Sequence, residues 1–301
     1  MASSLCFTLM TLILLLTFVS STISSRTNRK EDLDGYGDHE KLAHTLAHGS
    51  HSSVPHMGHM MNKDLPAFKI FFRTDDLKFG RKMQLYFPNP PTSHFISREE
   101  ADSIPFSLSK LSNILQIFSI SRGSPEAEGI ENTLRHCESK PVAGETQFCP
   151  TSLESMLDFV KSFLGSSSSS TSSSSSVSFN VLSTKIYRSP SQVGILENYT
   201  IVEEPIEIWV RKQVGCHPLA FPYAVFYCHQ TRDTTVYKLS MIGESSGEKV
   251  EAVAVCHRDT ADWNPNLVAF QVLGIKPGTE PVCHIFPLGN LLWISSNLIS
   301  T

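Results

Sequence analysis

Cys216-His217, Cys228-His229, Cys256-His257 and Cys283-His284 recur through the last third of the chain, and with Trp293 they spell C-H-x10-C-H-x26-C-H-x25-C-H-x8-W. In a chain of 301 residues with seven cysteines, four identical dipeptides are not an accident of composition. Each sets a thiol beside an imidazole. On an extended strand, successive side chains point to opposite faces. A cysteine can then brace one layer while the histidine after it serves another surface. The repeat therefore predicts strands that carry a structural residue and a coordinating or titrating residue at neighbouring positions.

Outward from these steps, strand-like runs dominate the sequence after Val177. They are Phe179 to Lys185, Tyr199 to Glu203, Ile206 to Lys212, Tyr223 to Cys228, Val236 to Ile242, Lys249 to His257, Leu267 to Leu273 and Val282 to Phe286. Their alternation, and the Gly, Pro, Asp and Asn breaks between them, predict antiparallel sheets. Three of the four Cys-His steps fall at or near strand ends and are expected to meet at a shared rim. Further upstream, Ala67 to Phe72 and Met83 to Phe87 read as strands punctuated by Gly80 and Pro88-Asn89-Pro90-Pro91. Helical pieces follow. Ser97 and Glu100 have capping-box spacing, and Leu108, Leu111, Ile114, Leu115 and Phe118 recur at helical intervals. The clearest helix runs from Thr151 to Leu164. Thr151 is its expected cap with Glu154 as reciprocal partner, Leu153, Met156, Leu157, Val160 and Leu164 form its apolar face, and Gly165 ends it. The expected fold class is α+β, predominantly antiparallel β with a few helices in the N-terminal half, braced by disulfides.

The remaining segments bound the compartment. Leu5 to Val19 is an uncharged apolar run followed by small residues, so residues 1–22 read as a signal peptide. No second run is long enough to span a membrane. Removing the leader removes Cys6 and leaves six cysteines, the even number that a disulfide framework in an oxidising compartment requires. The chain is therefore expected in the secretory pathway, outside the cell or in a vacuole. Cys137 and Cys149 flank a polar loop with Pro141 and Gly144; a bridge between them is favoured over a metal site, because His136 is the only histidine beside them. Asn198-Tyr199-Thr200 is a glycosylation sequon. Residues 23–67 are polar, with His39, His44, His48, His51, His56 and His59 interleaved with Met57, Met60 and Met61. They form a flexible arm, read as a solvated spacer, as a copper or zinc trap, or as a pH-sensitive tract. The serine-rich loop 165–176 has nothing apolar to bury and divides an α/β front from a β-rich back. The net charge of −4 includes no basic stripe, which argues against nucleic acid as a partner.

Three readings of the Cys-His steps compete. In the first, all eight residues are zinc ligands; against it, the two members of a dipeptide diverge on a strand and secreted thiols oxidise. In the second, the cysteines form two disulfides beside structural histidines, which leaves the repeated histidine without a reason. Or the disulfides fix the strands while His217, His229, His257 and His284 face a cavity and bind metal, since a rigid brace limits a ligand's freedom.

The order and spacing of the four dipeptides and Trp293 resemble the BURP domain, a plant-specific family. Phe71-Phe72, Asp76-Leu77 with Gly80, Arg98 to Phe106, Cys137, Gly144-Glu145, Cys149 and Ser152 to Met156 resemble its other motifs, so that residues 68–295 are covered. The short leader is most similar to the unknown-seed-protein and microspore-embryo-protein subfamilies. The resemblance implies a copper site at the four histidines beside stapling disulfides formed by Cys216, Cys228, Cys256 and Cys283. It also implies a role in seed or reproductive development, stress response or the cell wall. Some members are copper-dependent autocatalytic cyclases that use dioxygen to link a Trp or Tyr side chain within a peptide of the same chain. Between Arg26 and Pro66 this chain has no Trp and a single Tyr, Tyr36, so the substrate half of such a cyclase is not recognisable. The alternatives are a cyclase acting on Tyr36 or on a separate peptide, and a non-catalytic module that binds cell-wall polysaccharide.

Overall fold

The computed structural model describes residues 69–89, 92–141, 144–165, 179–187, 196–210 and 212–295. The expected signal peptide, the His/Met-rich arm with Tyr36, and the serine tract beyond Gly165 lie outside these residues.

Among the described residues, thirteen strands and five α-helices follow in order: β1 (Phe71–Phe72), β2 (Lys82–Tyr86), α1 (Arg98–Ser103), α2 (Leu111–Ile117), α3 (Pro125–Cys137), β3 (Thr146–Phe148), α4 (Leu153–Leu164), β4 (Phe179–Leu182), β5 (Lys185–Tyr187), β6 (Leu196–Ile201), β7 (Ile206–Ile208), β8 (Gln213–Leu219), β9 (Val225–Gln230), β10 (Thr234–Gly243), β11 (Lys249–His257), α5 (Val268–Leu273), β12 (Val282–Ile285) and β13 (Leu291–Ser295). The α+β, mainly antiparallel class expected from the sequence is the class observed. Eight strands form one sheet in the order β1-β12-β11-β10-β6-β2, with β5 added on β11 and β7 on β10. Five form a second sheet in the order β3-β9-β8-β13-β4. Strands from both sides of the serine tract are interleaved: β1 pairs with β12, β2 with β6 and β3 with β9. The front and back of the chain are therefore not separate folding units.

Burial explains the layers. On one face of the five-stranded sheet, Val214, Cys216, Ala224, Phe226 and Cys228 pack against Met156, Val160 and Leu164 of α4. Each fully buried Val or Met side chain among these stabilises by roughly 1.5–3 kcal/mol. The opposite face is shared. One end of it, with Leu219, Val225 and Tyr227, is covered by Ile114 and Leu115 of α2 and Ile130 and Leu134 of α3. The other end, with Leu292 and Ile294, meets Val236, Val253 and Val255 of the large sheet. The large sheet gathers its own core on its far side, where Leu85, Tyr199, Ile201, Met241 and Ala254 join Cys256 and Cys283. A backbone bond of 3.2 Å from Tyr86 to Lys69 carries its β2 edge back toward β1.

Several local expectations change. Ser152, not Thr151, caps α4: its hydroxyl accepts the Ser155 N–H at 3.1 Å, and the Ser155 hydroxyl accepts the Ser152 N–H at 3.1 Å. Ser155 thus takes the reciprocal role assigned to Glu154. Leu153, placed on the apolar face, is 41% exposed, because the stripe that packs is Met156, Val160 and Leu164. Ser97 does cap α1, accepting from Glu100 N at 3.2 Å. The run from Leu108 to Phe118 is broken into a 3-10 turn (Leu108–Lys110) and α2. Leu267 to Leu273, expected as a strand, holds the helix α5, closed by Gly274 at φ +66°. Ile206 to Lys212 is a strand only as far as Ile208, while β8 and β13 were not foreseen. Nor was α3, which starts with Ser124 as cap and Pro125 in its first turn.

Candidate metal centre

Each sheet contributes one ladder built on the same plan. In the five-stranded sheet, Cys216 on β8 lies directly opposite Cys228 on β9, and the two are bonded as a disulfide. In the large sheet, Cys256 on β11 lies opposite Cys283 on β12, and these too are bonded. Because neighbouring side chains alternate, the histidine after each cysteine points to the other face. His229 is opposite Gly215, two residues before His217, and His284 is opposite Val255, two residues before His257. Each disulfide is thus backed by a diagonal pair of histidines.

The two pairs share one partly open cavity between the sheets, lined by all four histidines with Gly215, Thr231, Thr234, Val255, Phe286 and Leu292 among others. Its volume is about 260 Å³ when counted out to its open mouth. The histidines of the four Cys-His steps therefore converge, and Cys216-His217, which lies outside the strand runs read from the sequence, sits within β8.

The fixed partners of the Nδ1 atoms decide what the rings present to this cavity. His217 Nδ1–H donates to Asn290 Oδ1 at 2.5 Å; the Asn290 amide is oriented by its own Nδ2, which donates to Pro287 O at 3.0 Å. His229 Nδ1–H donates to Glu145 Oε1 at 2.5 Å. His284 Nδ1–H donates to Ile285 O at 3.2 Å. His257 Nδ1 stands 3.1 Å from the Thr231 hydroxyl and 3.2 Å from that of Thr234, on the turn that carries the chain from one sheet to the other. With Nδ1 protonated, Nε2 is the acceptor nitrogen. A Cβ added at Gly215 would lie 3.3 Å from His217 Nε2 and 3.7 Å from His229 Nε2, so the missing side chain leaves room at the point where these two nitrogens approach. On the other wall, His257 Nε2 and His284 Nε2 are 3.4 Å apart. Two ring nitrogens facing each other at that distance are compatible with one shared proton or a bound cation.

Burial pulls the ionisation of His217 and His257 well below the ordinary histidine value, and the neighbouring histidines add to the effect. Burial also lowers His284, to about 4. These rings are neutral near pH 7, the form that binds a metal. They remain grouped as two pairs: among the described residues, no group of three or more His, Cys, Asp or Glu side chains is gathered to hold a metal ion as it stands.

Cys137 and Cys149 form the expected bridge. Trp293, opposite Val214 on the β8–β13 ladder, packs on the α4 side of its sheet and takes no part in the cavity. Asn198 is exposed on β6. Among the described residues, no helix is long and apolar enough to cross a membrane. The partners Glu145, Asn290, Thr231 and Thr234, and the clearance at Gly215, were not anticipated. Of these, the sequence marks only Glu145, through the Gly144-Glu145 motif, and assigns it no role.

Comparison with known proteins bears on the same residues. The sequence profile described as the BURP domain matches residues 70–295. The BURP domain protein USPL1 of Arabidopsis thaliana is 40% identical over 242 residues, covering 77% of this chain and 82% of that protein. The BURP domain-containing protein BNM2C of Brassica napus is 41% identical over 240 residues, covering 76% and 81%. The BURP domain protein RD22 of Arabidopsis thaliana is 39% identical over 238 residues, covering 77% and 57%.

Proposed function

This chain belongs to the BURP-domain family, and from that premise we propose that it is a secreted plant protein whose four framework histidines bind copper. One observation carries the reading: four imidazoles, three of them buried and that of His229 nearly so, are drawn from two disulfide-backed strand pairs, line a single cavity, and each has a partner at Nδ1. Imidazole suits oxidised copper, and disulfide sulfurs do not compete for it. His217, His229, His257 and His284 are the ligands. The two-and-two grouping allows one ion shared between the pairs or one ion at each pair. Bound copper would supply one-electron and dioxygen chemistry; the protein would hold the neutral rings, fix their tautomers and limit solvent access. The family resemblance attaches such a site to seed or reproductive development, stress response or the cell wall. It also suggests peptide cyclisation, with Tyr36 or a separate peptide as substrate.

The test uses protein purified from a secreting host. We expect no reactive thiol, an N-terminus between about Ser20 and Ser25, a glycan at Asn198, and copper in fixed ratio to protein. Replacing any of the four histidines with alanine should lower copper content while the protein is still secreted. Full copper occupancy in these variants places the site elsewhere, and a wild-type protein that never takes up copper defeats the reading. Cyclisation would register as a loss of two hydrogens in a peptide containing Tyr36.

A further inference from the structure

We infer that Glu145 is a positioning residue for the histidine cavity, held in place by the Cys137–Cys149 bridge, and that it sets a negative charge beside the cation the cavity takes. The inference rests on the copper reading above.

Of the Nδ1 partners described, the Asn290 amide, the Thr231 and Thr234 hydroxyls and the Ile285 carbonyl are neutral, and Glu145 alone is a carboxylate. Its side chain is 10% exposed and that of His229 11%. Apart from the histidines, the residues lining the cavity are all uncharged. A dication held only by neutral imidazoles in a buried wall lacks nearby charge compensation. A carboxylate behind one imidazole supplies part of it, fixes that ring's tautomer and raises its basicity.

Glu145 does not belong to either Cys-His ladder, and its placement is built separately. It immediately precedes β3, a three-residue edge strand that sets Gln147 opposite His229 and Phe148 opposite Cys228. So short a ladder fixes little on its own. Cys149, just past its end, is bonded to Cys137 at the end of α3, and Gln147 Nε2 donates to Ser139 O at 2.6 Å. Gly144, at its entry, takes φ +81°. The Tyr227 hydroxyl, 2.6 Å from Gln147 Oε1 and 3.2 Å from Glu145 Oε1, fills the space beside the carboxylate. The third disulfide, which has no histidine following either cysteine, thereby acquires a part in the site.

The test compares full-length secreted wild type with Glu145→Gln, Glu145→Asp and the double variant Cys137→Ser/Cys149→Ser. Glu280→Gln, at an exposed ion pair with Arg73, is the control. Copper affinity is measured by chelator competition, and the Cu(II) form by electron paramagnetic resonance. In the metal-free protein, nitrogen-15 spectra of the imidazoles report the His229 tautomer. Glu145→Gln should lower copper affinity about 10–100-fold, change the copper hyperfine splitting and move the His229 Nδ1–H resonance. Glu145→Asp should recover part of each effect. The double serine variant should reproduce the Glu145→Gln signature. Wild-type uptake with unchanged affinity and spectra in Glu145→Gln overturns the inference alone. An unaltered double variant overturns the role of the bridge. Wild type that takes up no copper overturns the copper reading and this inference together.

Discussion

At Gly215, a missing side chain defines the cavity. Its added Cβ would meet Phe286 Cζ at 3.2 Å and His217 Nε2 at 3.3 Å, distances that neighbouring rings can relieve by small shifts. Gly→Ala in an extended strand also removes freedom from the unfolded chain. Gly215→Ala should therefore change stability by no more than about 1 kcal/mol, while copper uptake, measured by metal analysis, falls. Unchanged uptake would show that the two nitrogens do not act over this residue. The histidines themselves make a second prediction for metal-free protein. His217, His257 and His284 have depressed ionisation in the folded state, so the unfolded chain binds protons first as pH falls. Their contribution is fully present above an unfolded value of about 6.5 and is lost as pH drops through the folded values, His284's near 4. The melting temperature should be level near neutrality and decline below about pH 6.5; His284 alone, lowered to about 4, accounts for about 3 kcal/mol of lost stability at the acid limit. His284→Gln should flatten part of that decline in thermal melts across pH; identical profiles would count against the buried neutral ring.

Among the elements, α4 is a test of how finely a sequence can be read. Both Thr151 with Glu154 and Ser152 with Ser155 have cap spacing, one residue apart. Tertiary packing decides between them: with Met156, Val160 and Leu164 turned into the core, Ser152 becomes fully buried and its hydroxyl and N–H are satisfied across the first turn. Ser152→Ala should cost about 1 kcal/mol or more in denaturant unfolding, and Thr151→Ala close to none. The reverse order would move the N-terminus back to Thr151. The strands were largely legible because alternation and turn residues survive in single segments. Leu267 to Leu273 was not, because an apolar run of six or seven residues is too short to distinguish a buried strand from a helix by period. The sign overlooked was Gly274, whose left-handed backbone closes α5 with a bond from Ile275 N to Phe270 O at 3.1 Å. Likewise Ser124-Pro125 announced α3 by its cap and first-turn proline, but its apolar residues are spaced among polar ones.

At the scale of the whole molecule, the arrangement depends on which strands pair, and local sequence does not carry that. The six cysteines beyond the expected leader pointed to bridges; they did not show that Cys216 meets Cys228 on adjacent strands, or that Cys256 meets Cys283 across the α5 segment. Nor could they show that two ladders from different sheets turn their histidines toward one another, so the four histidines were readable as a group while their partners Glu145 and Asn290 were not. The pairing itself leads to a prediction. The bridges span sequence separations of 12 and 27 residues. Loop-closure entropy assigns them about 3 and about 3.5 kcal/mol. Cys256→Ala/Cys283→Ala should therefore destabilise the metal-free protein slightly more than Cys216→Ala/Cys228→Ala does, as measured by denaturant midpoints. Both ladders keep their backbone bonds in these variants, because the opposed residues lie within runs of paired neighbours. The diagonal histidines should then stay on the cavity face, and each double variant should retain some copper binding despite its lower stability. A single cysteine substitution differs in kind, since it leaves a buried thiol opposite alanine and a reactive partner during folding; it should reduce secretion more than the matching double variant. If the double variants lose copper binding completely while remaining folded, the disulfides set the ligand geometry directly and the ladders alone do not suffice.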